Sequence, residues 1–307
     1  MFDHLTILAP GLLGASVAKA ARARNAARHI TLWARRPETR AALRAQPFAD
    51  TIAETPTDAV RDAQLVILAA PVEKIITLAA QISPALPHGA IVTDVGSVKT
   101  RICRECAAAM PPHAIFIGSH PMAGSAKTGW ENATDDLFIG RTVFVTPLQG
   151  STDIPVCANS HTPQKYGTDK NVCATLPDTT TALHTLTNFW RSLGATPVIL
   201  TPAEHDEIVA HISHLPQTIA TTLAAFLAQK NPRWGAFAGN GLRDTTRIAA
   251  SDANMWIEIL QQNRAEILRA LDAYQTELAA MRAALATEDW PALHARLEAG
   301  KEFRDSL

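Results

Sequence analysis

The sequence predicts an α/β protein: a doubly wound parallel sheet in the first half, followed by an all-helical domain. Three observations support this. Short apolar runs alternate with Ala-rich helical stretches up to residue 145. A polar, turn-rich segment then breaks the pattern. Beyond it, apolar residues recur at three- and four-residue spacing to the end. With 307 residues the chain can bury two separate cores.

The apolar runs lie at 5–8, 30–33, 65–69, 91–93, 115–117 and 142–145, with helical composition between them, as at 15–27. Strand and helix in alternation imply a parallel sheet covered on both faces. Residues 149–178 lack any sustained period and read as an irregular insertion or linker without a catalytic role. The stretches 179–193, 203–229, 253–286 and 291–303 then read as helices. Met255, Ile259, Ile267, Leu271, Tyr274, Leu278 and Met281 could line one face of the long third helix, a face better suited to a dimer than to a monomer. The expected organisation is therefore 1–148, then the segment 149–178, then a helical domain at 179–307.

Composition excludes several classes. Twenty-eight basic and 29 acidic residues give a net charge of −1, so no broad field attracts nucleic acid or an anionic membrane. No apolar run reaches the roughly 18 residues that span a bilayer. The opening MFDHLTILAP lacks a basic leader and reads as a strand, so a cytoplasmic location is expected. Four cysteines make no disulfide framework. Cys103 and Cys106 read as two helix-face cysteines, and Cys157, Cys173 and His161 fit no strong metal pattern, so no metal is expected.

LTILAPGLLGASVAKAARAR reads as strand, glycine turn and helix. Gly11 and Gly14 fill the second and third glycine places of G-x-G-x-x-G, while Ala9 holds the first and Pro10 follows it. The second glycine lets the backbone approach a pyrophosphate, and the third lets helix pack on strand. Proline removes one N–H, but the donors at the helix start, Leu12 and Leu13, remain. This is a Rossmann-type dinucleotide turn. After the second strand, where an acidic residue would bond ribose hydroxyls, stand Ala34, Arg35 and Arg36. Two guanidinium groups suit a 2′-phosphate, so NADP is favoured over NAD. Ala70 and Pro71, in ILAAPVEKI, fall at the carboxyl edge of the sheet and complete the cofactor set. Ser97 and His120 each follow an apolar run by a few residues and should reach the same edge.

Four segments, TDVGSVK, GSHPMAGSAKTG, HDEIVAHISHLPQ and LRDTTRIAASDANMW, occur in an order and spacing that resemble the prephenate/arogenate (cyclohexadienyl) dehydrogenase family of tyrosine biosynthesis. The resemblance runs through the whole chain except 149–178. It implies oxidative decarboxylation: the C4 hydroxyl of a cyclohexadienol loses its proton, C4 loses hydride to a nicotinamide, and carbon dioxide leaves as the ring aromatises. On this resemblance His120 is the catalytic base and Ser97 orients the reacting groups. Histidine suits that role at neutral pH. Arg247 matches the family's carboxylate-binding arginine, whose fork fixes one orientation of the substrate. His205 and Asp206 are expected to position a helix, and His214 to line or cap the site.

Two departures stand out. Ala126 replaces a glutamate common in prephenate-using members, and Gln217 replaces the second histidine of S-H-L-P-H. A neutral glutamine offers both a donor and an acceptor, which suits the ammonium and carboxylate of arogenate. No regulatory domain is expected after the helical half. The competing readings are a β-hydroxyacid dehydrogenase or imine reductase, against which His120 and Arg247 argue, and a non-catalytic nucleotide sensor, suggested by Ala9, Pro10 and Ala126.

Overall fold

A computed structural model describes residues 1–124, 128–148 and 178–307 in two compact units. The first comprises Met1–Asp206 with Ser251–Gln262, the second Glu207–Ala250 with Asn263–Leu307.

In the first unit, β1 (Phe2–Leu8), β2 (Ala27–Trp33), β3 (Thr51–Ile52), β4 (Leu65–Leu68), β5 (Ile91–Asp94) and β6 (Ile115–Phe116) form a parallel sheet in the order β3-β2-β1-β4-β5-β6. The intervening helices are α1 (Leu12–Ala23), α2 (Pro37–Leu43), α3 (Pro56–Ala59), α4 (Val72–Ile82) and α5 (Thr100–Ala109). The central strand β4, LVIL, is apolar and buried throughout because both faces are covered. In β4, Leu65 and Ile67 enter one core with Val17 and Trp190, while Val66 and Leu68 enter the other with Ile75, Ile102 and Ile259. This is the doubly wound sheet expected from the alternation.

Several expectations need correction. The run at 142–145 is not a further strand of this sheet. Two residues after β6 the chain re-enters extended structure as β7 (Gly118–Pro121), which pairs antiparallel with β8 (Thr142–Thr146); β8 in turn pairs parallel with β9 (Thr196–Ile199). His120 therefore lies within a strand, paired with Phe144, rather than in a loop after one. Gly118 permits this turn into a second sheet: a Cβ there would meet Thr146 Oγ1 at 2.5 Å and Cys103 Sγ at 2.6 Å. The strand β9, TPVI, has no counterpart in the sequence reading, since four residues between helices carry too little pattern.

The boundary expected at 178/179 also moves. α6 (Thr179–Ser192) buries Leu183, Leu186, Phe189 and Trp190 in the core under β1 and β4, so it belongs to the first unit. After α7 (Pro202–Val209), a π-helical turn at Ala210–His214 interrupts the expected 203–229 helix before α8 (Leu215–Ala228). The short α9 (Asn240–Thr246) follows. The expected 253–286 helix is two helices, α10 (Ala253–Gln262) and α11 (Arg264–Ala286), broken at Asn263 (φ −106°, ψ 25°). Ile259 on α10 is core of the first unit, whereas Ile267 on α11 is buried in the second, so the two halves of the anticipated stripe serve different units. The chain closes with α12 (Trp290–Asp305). Among the described residues no helix is long and apolar enough to cross a membrane.

Candidate active site

The first βα turn has the form a dinucleotide needs. Gly11 caps α1 without a side-chain bond, and a Cβ built there meets nothing within 4 Å, so the backbone faces open space. The first-turn amides of Leu12 and Leu13 lie at the positive end of the helix, where an anion is stabilised. Gly14 serves packing instead: its Cβ would stand 2.7 Å from Ala69 Cβ and 3.1 Å from Ile7 Cγ2. Ala9, in the first glycine's place, adopts φ 59°, a left-handed conformation that costs an L-residue about 1–2 kcal/mol. Thus the turn keeps its glycine-type backbone without the glycine. Ala70 is half-buried and Pro71 caps α4 at the same sheet edge. Arg35 and Arg36 follow β2 by two and three residues; both are exposed, and neither guanidinium has a hydrogen bond or ion pair among the described residues. These residues fit a nicotinamide dinucleotide.

At the end of β5, Asp94 and Lys99 form an ion pair with both side chains fully buried. Asp94 Oδ2 also accepts from Gly96 N (2.8 Å), and Oδ1 from Ser119 N (3.1 Å). Ser119 Oγ accepts from Thr93 Oγ1 (2.8 Å) and Trp190 Nε1 (3.1 Å). The residue before His120 is thus held from three directions, and β7 presents its histidine from a rigid base.

His120 is buried, and its Nδ1 lies 2.8 Å from His205 Nε2. His205 Nδ1 lies 2.8 Å from Asp206 Oδ1. Asp206 in turn accepts the backbone N–H of Lys99 on Oδ1 and of Thr100 on Oδ2, both at 2.8 Å, capping α5. The His205 ring packs edge-on against Phe144 at 5.4 Å between centroids. Burial lowers the pKa of His205 and outweighs the opposing effect of its hydrogen bond to Asp206. For Asp206 burial acts upward, yet hydrogen bonds from His205 and Thr100 hold the carboxyl below its ordinary value. Ser97 is half-buried, and its hydroxyl makes no hydrogen bond among the described residues; the partner of His120 Nδ1 is His205.

In the second unit His214 ends the π turn, buried, with Asn263 Nδ2 at 3.2 Å from its Nδ1. Gln217 is buried on α8 and donates to Thr221 Oγ1 (3.2 Å). Arg247 is exposed where α9 passes into a 3₁₀ turn, and no ion pair among the described residues engages it. Ala126, Cys157, Cys173 and His161 lie outside the described residues. No metal-ligating cluster occurs among the described residues. Cys103 and Cys106 are free, buried thiols on α5; burial pushes Cys103 up to about 12 and Cys106 higher still.

Residues 17–159 match the family model of the prephenate dehydrogenase nucleotide-binding domain, and residues 201–299 that of the prephenate dehydrogenase dimerization domain. The chain belongs to the prephenate/arogenate dehydrogenase family. Cyclohexadienyl dehydrogenase of Zymomonas mobilis is 29% identical over 293 residues, covering 94% of this chain and 90% of that one. The solved Synechocystis arogenate dehydrogenase superposes with a TM-score of 0.79 at 26% identity, covering 99% of each chain. In fold, prephenate dehydrogenase from A. aeolicus, solved with hydroxyphenyl propionate and NAD+, reaches a TM-score of 0.85 at 24% identity, over 100% of this chain and 98% of that one.

For this member of the prephenate/arogenate dehydrogenase family, the sequence assigned His205 and Asp206 only to positioning a helix. Asp206 does cap α5, but His205 also reaches His120 across 85 positions of sequence. The His-Asp dipeptide was the only local signal, and a dipeptide does not name its distant partner.

Proposed function

We propose that this chain oxidatively decarboxylates arogenate, prephenate or both, with NADP favoured over NAD and His120 as the base. The family's chemistry, an oxidoreductase step of tyrosine biosynthesis, follows from the matched models and relatives. The observation that carries the residue assignment is His120 itself: a buried imidazole on a braced strand whose Nδ1 lies 2.8 Å from His205 Nε2, and Nε2 is the nitrogen we assign to the substrate. The bound nicotinamide supplies the hydride acceptor. His120 Nε2 takes the proton of the C4 hydroxyl as hydride leaves C4, and the ring aromatises with loss of carbon dioxide. Ser97 supplies a hydroxyl that orients the reacting groups.

Arg247, whose guanidinium has no ion pair among the described residues, takes a substrate carboxylate, and Gln217 and His214 serve the side-chain end. Ala126 belongs to the same substrate set. Gln217, already donating to Thr221, retains its carbonyl oxygen as an acceptor for an ammonium, which supports arogenate. Gly11, Leu12, Leu13 and Gly14 hold the diphosphate, beside Ala70 and Pro71, and Arg35 and Arg36 take a 2′-phosphate. The second unit matches a dimerization domain, and Leu278, Leu285, Leu297 and Phe303 on its helices are exposed, which supports a homodimer. A cytoplasmic location is part of the same proposal.

The test offers arogenate and prephenate separately, each with NAD and NADP, and follows reduced nicotinamide. Absence of turnover in all four pairs overturns the function, and faster turnover with NAD overturns the roles of Arg35 and Arg36. His120→Asn lowers turnover by about two orders of magnitude or more; near-intact turnover removes His120 as the base. Gln217→His shifts preference toward prephenate, and an unchanged ratio ends that assignment.

A further inference from the structure

We propose that Asp206 and His205 are positioning residues that fix the tautomer of His120, so that its lone pair is at Nε2. The proposal rests on His120 being the base, as argued above. It follows from which atoms can donate. The Asp206 carboxylate is held ionised by backbone amides of Lys99 and Thr100 at the start of α5 and can only accept. His205 Nδ1, 2.8 Å from Oδ1, therefore carries a hydrogen. Burial keeps His205 neutral, so its Nε2 has the lone pair. The nitrogen 2.8 Å away, His120 Nδ1, must then be the donor. A neutral His120 with its hydrogen on Nδ1 has its lone pair on Nε2, the state a base requires.

The step balances on one proton. The O–H bond of the substrate hydroxyl breaks, its electron pair stays on oxygen, and an N–H bond forms at His120 Nε2. The resulting imidazolium keeps its Nδ1–H bond to His205, whose acceptor strength is supported by Asp206 behind it. The other charged groups facing His205 are Lys99 and Asp94, already paired with each other. Phe144 packs edge-on against the fully buried His205 ring.

Asp206→Asn tests the idea because asparagine can present an NH2 to His205 Nδ1. That rotamer gives up the Lys99 N–H, keeps the Thr100 N–H on its oxygen, reverses every donor in the chain and places the His120 hydrogen on Nε2; the ¹⁵N shifts of the His205 ring report whether it is adopted. In the full-length enzyme with its cofactor, turnover should fall about 100- to 10,000-fold with KM for both substrates changed less than about threefold. The ¹⁵N shifts of the His120 ring in the free enzyme should exchange their protonated and unprotonated assignments. A helix-capping role alone would not move those shifts. Full turnover or unchanged His120 shifts in a folded Asp206→Asn protein whose His205 ring has reversed overturns the proposal. If Asp206→Asn does not fold, or keeps its oxygen toward His205, His205→Phe takes its place. It keeps the ring packing on Phe144, and should lower turnover at least tenfold and leave His120 in a mixture of tautomers; a single Nδ1–H tautomer overturns the proposal. Near-intact turnover in His120→Asn would instead overturn the assignment of the base.

Discussion

Asp94→Asn probes the buried ion pair that braces β7. Asp94 Oδ2 receives Lys99 and Gly96 N, and Oδ1 receives Ser119 N. Asparagine has one acceptor oxygen. Turned toward Lys99 and Gly96, it sets its NH2 against the N–H of Ser119; turned the other way, it sets two donors against the ammonium. In both rotamers Lys99, with no exposed side-chain surface, keeps a charge without a counter-charge. Removing one partner of a buried pair costs about 3–5 kcal/mol. At about 2–4 °C per kcal/mol for a domain of this size, Tm should fall by about 6–20 °C. Lys99→Met in the same background removes the stranded ammonium while keeping the length of its stem, so Asp94→Asn/Lys99→Met should recover about half of the loss. The assay is urea and thermal unfolding of the full chain at pH 7, followed by near-UV circular dichroism. A loss under about 1 kcal/mol in Asp94→Asn, or no recovery in the double variant, refutes the reasoning.

Further outcomes follow from the same physics. Gly14→Ala places carbon 2.7 Å from Ala69 Cβ, against an optimum near 3.5–4.0 Å, and should destabilise by about 1–3 kcal/mol. Gly11→Ala meets open space and should leave Tm unchanged while raising KM for the dinucleotide; equal effects of the two on Tm would refute the division of roles. Stability should decline as pH falls below 6.5, because burial lowers the folded pKa of His205, so the unfolded chain binds more protons in that window. Its contribution is present above 6.5 and lost on the way down through the folded value, and His205→Phe should flatten this slope in unfolding titrations. Asp206, whose folded value is also depressed, adds a second loss below about pH 3.8. Cys103 and Cys106, buried and with pKa values pushed upward, should resist iodoacetamide in the native protein and react on unfolding, as read residue by residue by mass spectrometry.

The parallel sheet and its nucleotide turn were legible because they are local. Strands buried on both faces must be apolar runs, and LVIL at β4 divides its side chains between two cores in strict alternation. The glycine turn was legible even with Ala9 in the first place, because Gly11 and Gly14 retained the two demands that a Cβ would defeat: approach to open space and packing against Ala69. Boundaries were less legible. Periodicity predicted one helix over 253–286, but the apolar spacing continues through Asn263 although the backbone does not, since that side chain turns to His214 and its φ and ψ leave the helical range. Likewise TPVI at β9 becomes a strand only because β8 supplies its hydrogen bonds.

The sequence by itself determined the fold class and the family, and it supplied the proposal of His120, Ser97 and Arg247 as site residues, because motif chemistry resides in residue type and spacing. Only the tertiary structure decided what stands behind His120. Its protonation depends on His205 and Asp206, which lie 85 and 86 positions away along the chain, and on two amides at the start of α5 that hold the carboxylate. A hydrogen bond is specified by which atoms meet within about 3 Å, and separation along the chain carries no record of that.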